Sequence, residues 1–334
     1  MIVNELKELT NHHRQACDLY RYYTDAVFPE VAKAKCLADL PYLPVRAFKE
    51  FELKSVRDKD VYKVMRSSGT SGNFSKIFLD KHTARLQTHA LISGFTSFFG
   101  KGRFPMLVID NKNTVTNRDF FSARTAAING FSMFSHGKCF ALDDEMKFDF
   151  SAVRDFLNIH KGRRIFIFGF TSIVWLNFIR ELDEKGEALD LADGFLLHGG
   201  GWKKLEHEKV SNKVFKEKVL QLTGCQTVRN YYGMVEQTGT IFMECEAGNM
   251  HACAGSDVII RDPITFAELP SGMPGLIQLF STVQKSYPGH SILTEDIGRK
   301  VDNGPCSCGR LGSIIKVDGR QENAELRGCS DAYS

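Results

Sequence analysis

Apolar positions along the chain fall into two textures. Over residues 61–254 short apolar runs alternate with stretches of helical spacing, and from about residue 255 short β-like pieces are separated by Pro, Gly and Ser turns. Residues 1–60 contain no glycine and read as helical. They end at Leu40-Pro41-Tyr42-Leu43-Pro44-Val45-Arg46-Ala47-Phe48-Lys49, where two prolines stop a helix and start an extended segment. Residues 83–99 place Leu86, Ala90, Leu91, Phe95 and Phe98 at helical spacing before Gly100. Residues 104–110, 164–170 and 194–198 are buried-strand patterns; the second leads into a helix over 171–182, the third into Gly199-Gly200-Gly201. Residues 203–222 predict an amphipathic helix closed by Gly224, with Val210, Val214 and Leu220 turned inward. Strand, helix, strand at this rhythm predicts an α/β architecture with a mostly parallel sheet. The later pieces, such as 258–260 and 275–280, predict antiparallel or barrel-like material. The expected division is an N-terminal helical segment (1–60), an α/β core (61–254), a β-rich subdomain (255–318) and a hinge remnant with tail (319–334).

Composition narrows the function classes. With 334 residues, 43% hydrophobic, 25% charged and a net charge of +3, the chain is an ordinary globular one of one or two domains. Lys and Arg are scattered among Asp and Glu, which argues against a nucleic-acid or anionic-membrane partner. Met1-Ile2-Val3-Asn4-Glu5-Leu6-Lys7 turns polar at once, and the longest uncharged apolar run, 165–179, is too short to span a membrane. The expectation is a cytoplasmic protein. Nine cysteines there suggest reduced thiols, metal ligands or a nucleophile.

Chemistry concentrates first in Ser67-Ser68-Gly69-Thr70-Ser71-Gly72-Asn73-Phe74-Ser75-Lys76, a tight loop between two strand-like runs. Its glycines let backbone amides approach a ligand, and its hydroxyls and lysine add donors, as in a phosphate-cradling nest. The same composition also makes a plain Ser/Gly turn, and the spacing is not that of a Walker A loop. A second signal is Cys245 and His251 at loop spacing, followed by Cys306-Ser307-Cys308. Three thiolates and an imidazole make a closed, structural zinc site, with Cys253 as a spare ligand. Cys17, Cys36, Cys139 and Cys225 read as core thiols.

The loop closely resembles the phosphate loop of the adenylate-forming (acyl-activating) enzymes, and four more stretches follow in that family's order. Gly199-Gly200-Gly201 resembles the adenine-side glycine turn, and Tyr231-Tyr232-Gly233-Met234-Val235-Glu236 the Tyr-Gly-x-x-Glu signature. Thr294-Glu295-Asp296-Ile297-Gly298 resembles the ribose-binding Thr-Gly-Asp segment, with Glu295 in place of the glycine; Asp318-Gly319-Arg320 resembles the hinge. The resemblance implies ATP and Mg²⁺. It places Ser68, Gly69, Thr70, Ser71, Gly72, Lys76, Gly199, Gly200, Gly201, Tyr231, Tyr232, Gly233, Glu236, Asp296 and Arg320 at the nucleotide. Glu236 would hold Mg²⁺, as suits a hard cation. Phenylacetate-CoA-ligase-like members have a similar Cys/His arrangement.

The resemblance also implies the large N-terminal domain of the adenylate-forming fold, mostly parallel sheets with helices plus a small β-barrel-like subdomain, with the C-terminal lid absent or truncated. Arg327-Gly328-Cys329 near the last residue resembles the acyl-protein synthetase (LuxE) family, in which such a cysteine takes the acyl group from the adenylate. A thiolate is the best side-chain nucleophile for that step. The implied catalytic set is Cys329, Lys76, Glu236 and Arg320. The partners the resemblance implies are a carboxylic acid, expected to be fatty, and a LuxC-like acyl reductase. A phenylacetate-type CoA ligase and a non-catalytic nucleotide-binding scaffold are the competing readings.

Overall fold

A computed structural model of the chain describes residues 2–66, 74–116, 123–301 and 304–321, the side chains of Lys203 and Lys204 excepted. The strands in chain order are β1 (Leu43–Pro44), β2 (Lys63–Arg66), β3 (Lys76–Leu79), β4 (Phe104–Asn111), β5 (Ser135–Leu142), β6 (Phe166–Phe170) and β7 (Phe195–Gly199). They continue as β8 (Thr227–Tyr232), β9 (Phe242–Glu244), β10 (Met250–His251), β11 (Ser256–Arg261), β12 (Gly275–Ser281), β13 (Ser291–Val301) and β14 (Ile314–Arg320). Among the described residues the chain divides into two compact units: those of 2–66, 74–100 and 232–321 form one, and those of 101–231 the other.

In the second unit β5, β4, β6, β7 and β8 lie side by side in that order, each adjacent pair parallel. Every residue of β6 and β7 is buried. Strands covered on both faces have no polar alternation, which is why these runs read as continuous hydrophobic blocks. Register brings Phe170, Gly199 and Tyr231 together at the carboxyl ends. In open α/β sheets that edge is where ligands bind. After β6 the chain is helical from Thr171 to Lys185, with a π-turn over Trp175–Ile179.

One sequence expectation needs correction here. Residues 203–222 do not form one helix: Lys203–Glu208 is a tight turn kinked at Leu205, and the helix proper is Asn212–Thr223, capped by Ser211, whose side chain accepts from the Val214 amide. Phe215, Val219 and Leu222 face inward, while Val214 and Leu220 are exposed. Phe215, Val219 and Leu222 are spaced i, i+4, i+7 and share one face, which Val214 and Leu220, one position off that stripe, do not.

The first unit holds an antiparallel sheet in the order β11-β12-β13-β14-β10-β9, with β1 added parallel to β13. The β2–β3 hairpin flanks the Ser/Gly stretch as expected, and the helix Lys81–Phe99 starts at an Asp80 cap and stops at Gly100. Helices Ile2–Ala16 and Asp18–Val27 pack by Leu6, Leu9 and Tyr20 onto residues from the sheet, among them Ile259, Phe280 and Ile292. No helix among the described residues is long and apolar enough to cross a membrane.

That packing buries two imidazoles. His13 Nδ1 lies 2.8 Å from Ser55 Oγ and its Nε2 3.0 Å from the Gln284 carbonyl oxygen, and its ring stacks on His290 at 5.0 Å. Burial lowers the His13 pKa well below the ordinary value and brings His290 down to about 3. His198 in the other unit is also lowered to about 3 by burial. All three are therefore neutral when folded, whereas unfolding frees them to protonate below about pH 6.5. Stability is expected to hold above that pH and to decline as pH falls from 6.5 toward the folded values, by up to about 1.4 kcal/mol per pH unit for each histidine. Urea midpoints at pH 7.5 and 5.5 check this, and His290→Asn should flatten the decline.

Candidate functional site

Glu236 sits in a short turn, Val235–Gln237, just after β8 and is only 3% exposed, so it is not a surface carboxylate. Ser75 Oγ donates to its Oε1 at 2.6 Å, and the Tyr287 hydroxyl donates to its backbone carbonyl at 2.9 Å. A buried carboxylate needs polar or cationic partners to offset lost hydration. Among the described residues the carboxylate meets the Ser75 hydroxyl, a neutral donor that leaves its negative charge available to a hard divalent cation. Gly233, three residues earlier, has no room for a side chain: a Cβ would come within 2.7 Å of Ile241 Cγ2.

A second group lies along β13 and β14, where Asp296 pairs with Arg320 across the ladder. The Tyr232 hydroxyl donates to Asp296 Oδ2 at 2.7 Å, and Arg320 Nε lies 3.5 Å from Asp296 Oδ1. Burial and the Asp296 charge push the Tyr232 phenol well above its ordinary value, so it remains a donor. Arg320 Nη2 is also 3.6 Å from Glu295 Oε2, and Arg46 Nε donates to Glu295 Oε1 at 2.8 Å. The residue standing in place of the usual glycine is thus a carboxylate between two guanidinium groups. Sequence reading did not select Arg46 or Ser75. Both lay in quoted stretches, but their partners are 249 and 161 residues away.

Lys76, the expected phosphate lysine, begins β3 with its ammonium 3.0 Å from Glu52 Oε1 in an exposed pair. Ser68, Gly69, Thr70, Ser71, Gly72 and Cys329 lie outside the described residues.

In the second unit, Gly199 ends β7 beneath the Tyr231 ring: a Cβ there would meet the ring at 2.3 Å, so glycine is required. Tyr231 packs on Phe131 and Phe168 and is buried. Adjacent strand residues face opposite ways, which separates Tyr231 from Tyr232. Gly200 takes a left-handed conformation, φ 78°. Thr171 Oγ1 lies 2.9 Å from His198 Nδ1 and 3.1 Å from the Gly199 carbonyl oxygen, tying the start of the helix to the glycine turn. At the end of β4, Arg124 forms a buried pair with Asp110, Nε to Oδ2 at 3.0 Å, which sequence reading did not single out.

The structure brings four Cys and His side chains together. Ligand atoms of Cys245, His251, Cys306 and Cys308 all lie within 4.8 Å of one another. Cys245 Sγ is 3.8 Å from Cys306 Sγ, and Cys308 Sγ is 3.4 Å from His251 Nε2. A tetrahedral zinc with Zn–S of about 2.3 Å has sulfur–sulfur edges of about 3.8 Å, so the donor set fits. The Cys308 backbone amide, then the Asn249 side chain, lower the Cys306 thiol to about 6, while burial raises Cys245. Cys253 is not part of the cluster; its sulfur lies 3.4 Å from Ser256 Oγ. Cys36 is exposed, not a core thiol, because it starts a short surface turn. Cys17 and Cys225 are buried as expected, and Cys139 is half-buried.

The family model described as "Acyl-protein synthetase, LuxE" matches residues 2–334. A long-chain-fatty-acid–luciferin-component ligase from Vibrio harveyi is 24% identical over 359 residues, 99% of this chain and 89% of that protein. Among solved structures, an open conformation of 2-hydroxyisobutyryl-CoA ligase superposes with a TM-score of 0.72 at 13% identity, covering 96% of this chain and 69% of its own. ATP-bound MatB from Rhodopseudomonas palustris gives 0.51 at 16% identity, covering 80% of this chain and 49% of its own. At such identities these structures speak for the fold: the mixed α/β architecture of adenylate-forming enzymes.

Proposed function

This chain belongs to the acyl-protein synthetase, LuxE, family, and on that footing we propose that it activates a fatty acid with ATP and then carries the acyl group on its own Cys329. In the first half-reaction a carboxylate oxygen attacks the α-phosphorus of ATP, a P–O bond forms, and pyrophosphate leaves with the electron pair of the broken bond. In the second, the thiolate attacks the acyl carbon, AMP leaves, and a thioester remains. Adenylation supplies the leaving group and sulfur the nucleophile.

The observation that carries this reading is the linked set Tyr232–Asp296–Arg320 on β8, β13 and β14. An aspartate fixed by a phenol and a guanidinium suits the ribose hydroxyls, and Arg320 suits a phosphate oxygen. Ser68, Gly69, Thr70, Ser71, Gly72 and Lys76 are assigned to the ATP phosphates, and Gly199, Gly200, Gly201, Tyr231, Tyr232 and Gly233 to the adenosine. Glu236 would hold Mg²⁺, which neutralises phosphate charge. Cys245, His251, Cys306 and Cys308 would hold a structural zinc. The fatty substrate follows the name of the Vibrio harveyi relative, and a LuxC-like acyl reductase is the proposed acceptor.

Intact-mass measurement after incubation with MgATP and a panel of carboxylic acids tests the reading. The expected result is an acyl adduct that is lost with hydroxylamine and absent in Cys329→Ser. Acyl-CoA formation that survives Cys329→Ser would instead establish a CoA ligase. ATP binding with no product from any acid would establish a scaffold.

A further inference from the structure

Ser75 and Glu236 are 161 residues apart, yet the serine hydroxyl meets the carboxylate at 2.6 Å with both residues buried. We propose that Ser75 is a positioning residue that sets the orientation of the Glu236 carboxylate for a divalent cation. This rests on the reading of Glu236 as the cation-binding residue.

The backbone around Glu236 is already fixed. Its carbonyl accepts from Tyr287, whose hydroxyl in turn accepts from Gln87 Nε2 at 3.2 Å. The next residue, Gln237, donates through Nε2 to the carbonyls of Leu279 at 3.2 Å and Gly289 at 2.9 Å. A Cβ on Gly289 would stand 2.9 Å from the Glu236 carbonyl oxygen, so that wall is close as well. What remains free is the side chain, which has three rotatable bonds, the last of them broad and soft. Among the described residues Ser75 is the hydrogen-bond partner of the carboxylate, and it engages Oε1. An O–H donated to a carboxylate is short and strong, and it selects one orientation of the pair of oxygens. Oε2 is then the oxygen presented to the cation. A hydroxyl does this without adding positive charge, so the carboxylate keeps its attraction for a metal; a lysine or arginine in its place would compete with the ion. Lys76, the very next residue, carries its ammonium to Glu52.

Outer partners of this kind typically change metal affinity by 10- to 100-fold when removed. Ser75→Ala is therefore expected to raise the Mn²⁺ dissociation constant by about 10-fold or more. Mn²⁺ serves as the probe, followed by electron paramagnetic resonance with a non-hydrolysable ATP analogue at saturation. The Mg²⁺ concentration for half-maximal pyrophosphate exchange should rise in parallel, with KM for the acid unchanged. Ser75→Thr restores the hydroxyl and should restore both readouts. Should the buried methyl of threonine impair folding, Ser75→Cys keeps the size with a weaker donor and should fall between wild type and alanine. Wild-type Mn²⁺ affinity in a folded Ser75→Ala variant would overturn the proposal. Absence of Mn²⁺ binding and of exchange in the wild type would overturn the cation reading of Glu236 itself.

Discussion

Glu236→Gln is expected to reduce carboxylate-dependent pyrophosphate exchange by about 10³-fold, equivalent to about 4 kcal/mol of transition-state stabilisation. Glutamine keeps the length of the side chain, and its amide oxygen can still accept from Ser75 Oγ, which lies 2.6 Å from Oε1 in the wild type. It removes the negative charge and places an N–H donor toward a cation. The fold should not suffer. A carboxylate 3% exposed carries a desolvation cost in the native state that the neutral amide largely avoids. The thermal midpoint is therefore expected to hold or rise while activity collapses, the exchange of stability for function often found at active sites. Exchange within tenfold of wild type would remove Glu236 from the chemistry. A midpoint that falls together with activity would show a structural role instead.

Disrupting the Cys/His cluster should have the opposite signature. Cys308→Ser, or treatment with a strong zinc chelator, is expected to release one zinc per chain and to cost on the order of 4 kcal/mol of stability. For a unit of this size that corresponds to a drop of roughly 8 to 16 °C in the thermal midpoint. The effect is large because the four ligands join two hairpin systems. Cys245 and His251 flank the β9–β10 turn, while Cys306 and Cys308 belong to the connection between β13 and β14. Cys253→Ser is the control, expected to leave metal content unchanged because its sulfur faces Ser256. Elemental analysis and calorimetry on the same samples check both halves. A metal-free wild type with the same midpoint as Cys308→Ser would reduce the cluster to four reduced side chains.

Which features were legible in the sequence follows from how local their causes are. β6 and β7 were legible because parallel strands covered on both faces must be apolar throughout. The cysteine cluster was legible by residue type, but the choice of Cys245 over Cys253 rests on the pairing of Met250 with Glu244 and of His251 with Met243. The helix at Asn212–Thr223 is legible as a helix, but its start depends on the Ser211 cap and its buried face on the i, i+4, i+7 set Phe215, Val219 and Leu222, for which Val214 and Leu220 are equally apolar competitors. Ser75 with Glu236 and Arg46 with Glu295 were not legible as pairs. Nothing near either residue in sequence specifies a partner that tertiary folding delivers. The glutamate of Thr294-Glu295-Asp296 did stand out as a departure from the family pattern, and the structure explains how it is accommodated: Arg46 and Arg320 flank it.

The discontinuity of the first unit has a consequence during synthesis. Leu6 and Leu9 emerge from the ribosome early, but Ile259 and Phe280, in the same core cluster, follow about 250 residues or more later. At 5–20 residues per second the wait is roughly 12 to 50 s. The second unit has no such delay across residues 101–231, where each strand of the parallel sheet finds a neighbour within one contiguous stretch. Through that interval the amphipathic helices Ile2–Ala16 and Asp18–Val27 have only near neighbours such as Ala34, Leu40, Leu43 and Phe48 to pack on and lack the sheet residues that complete their burial, at the stage of the protein's life when chaperones have most to hold.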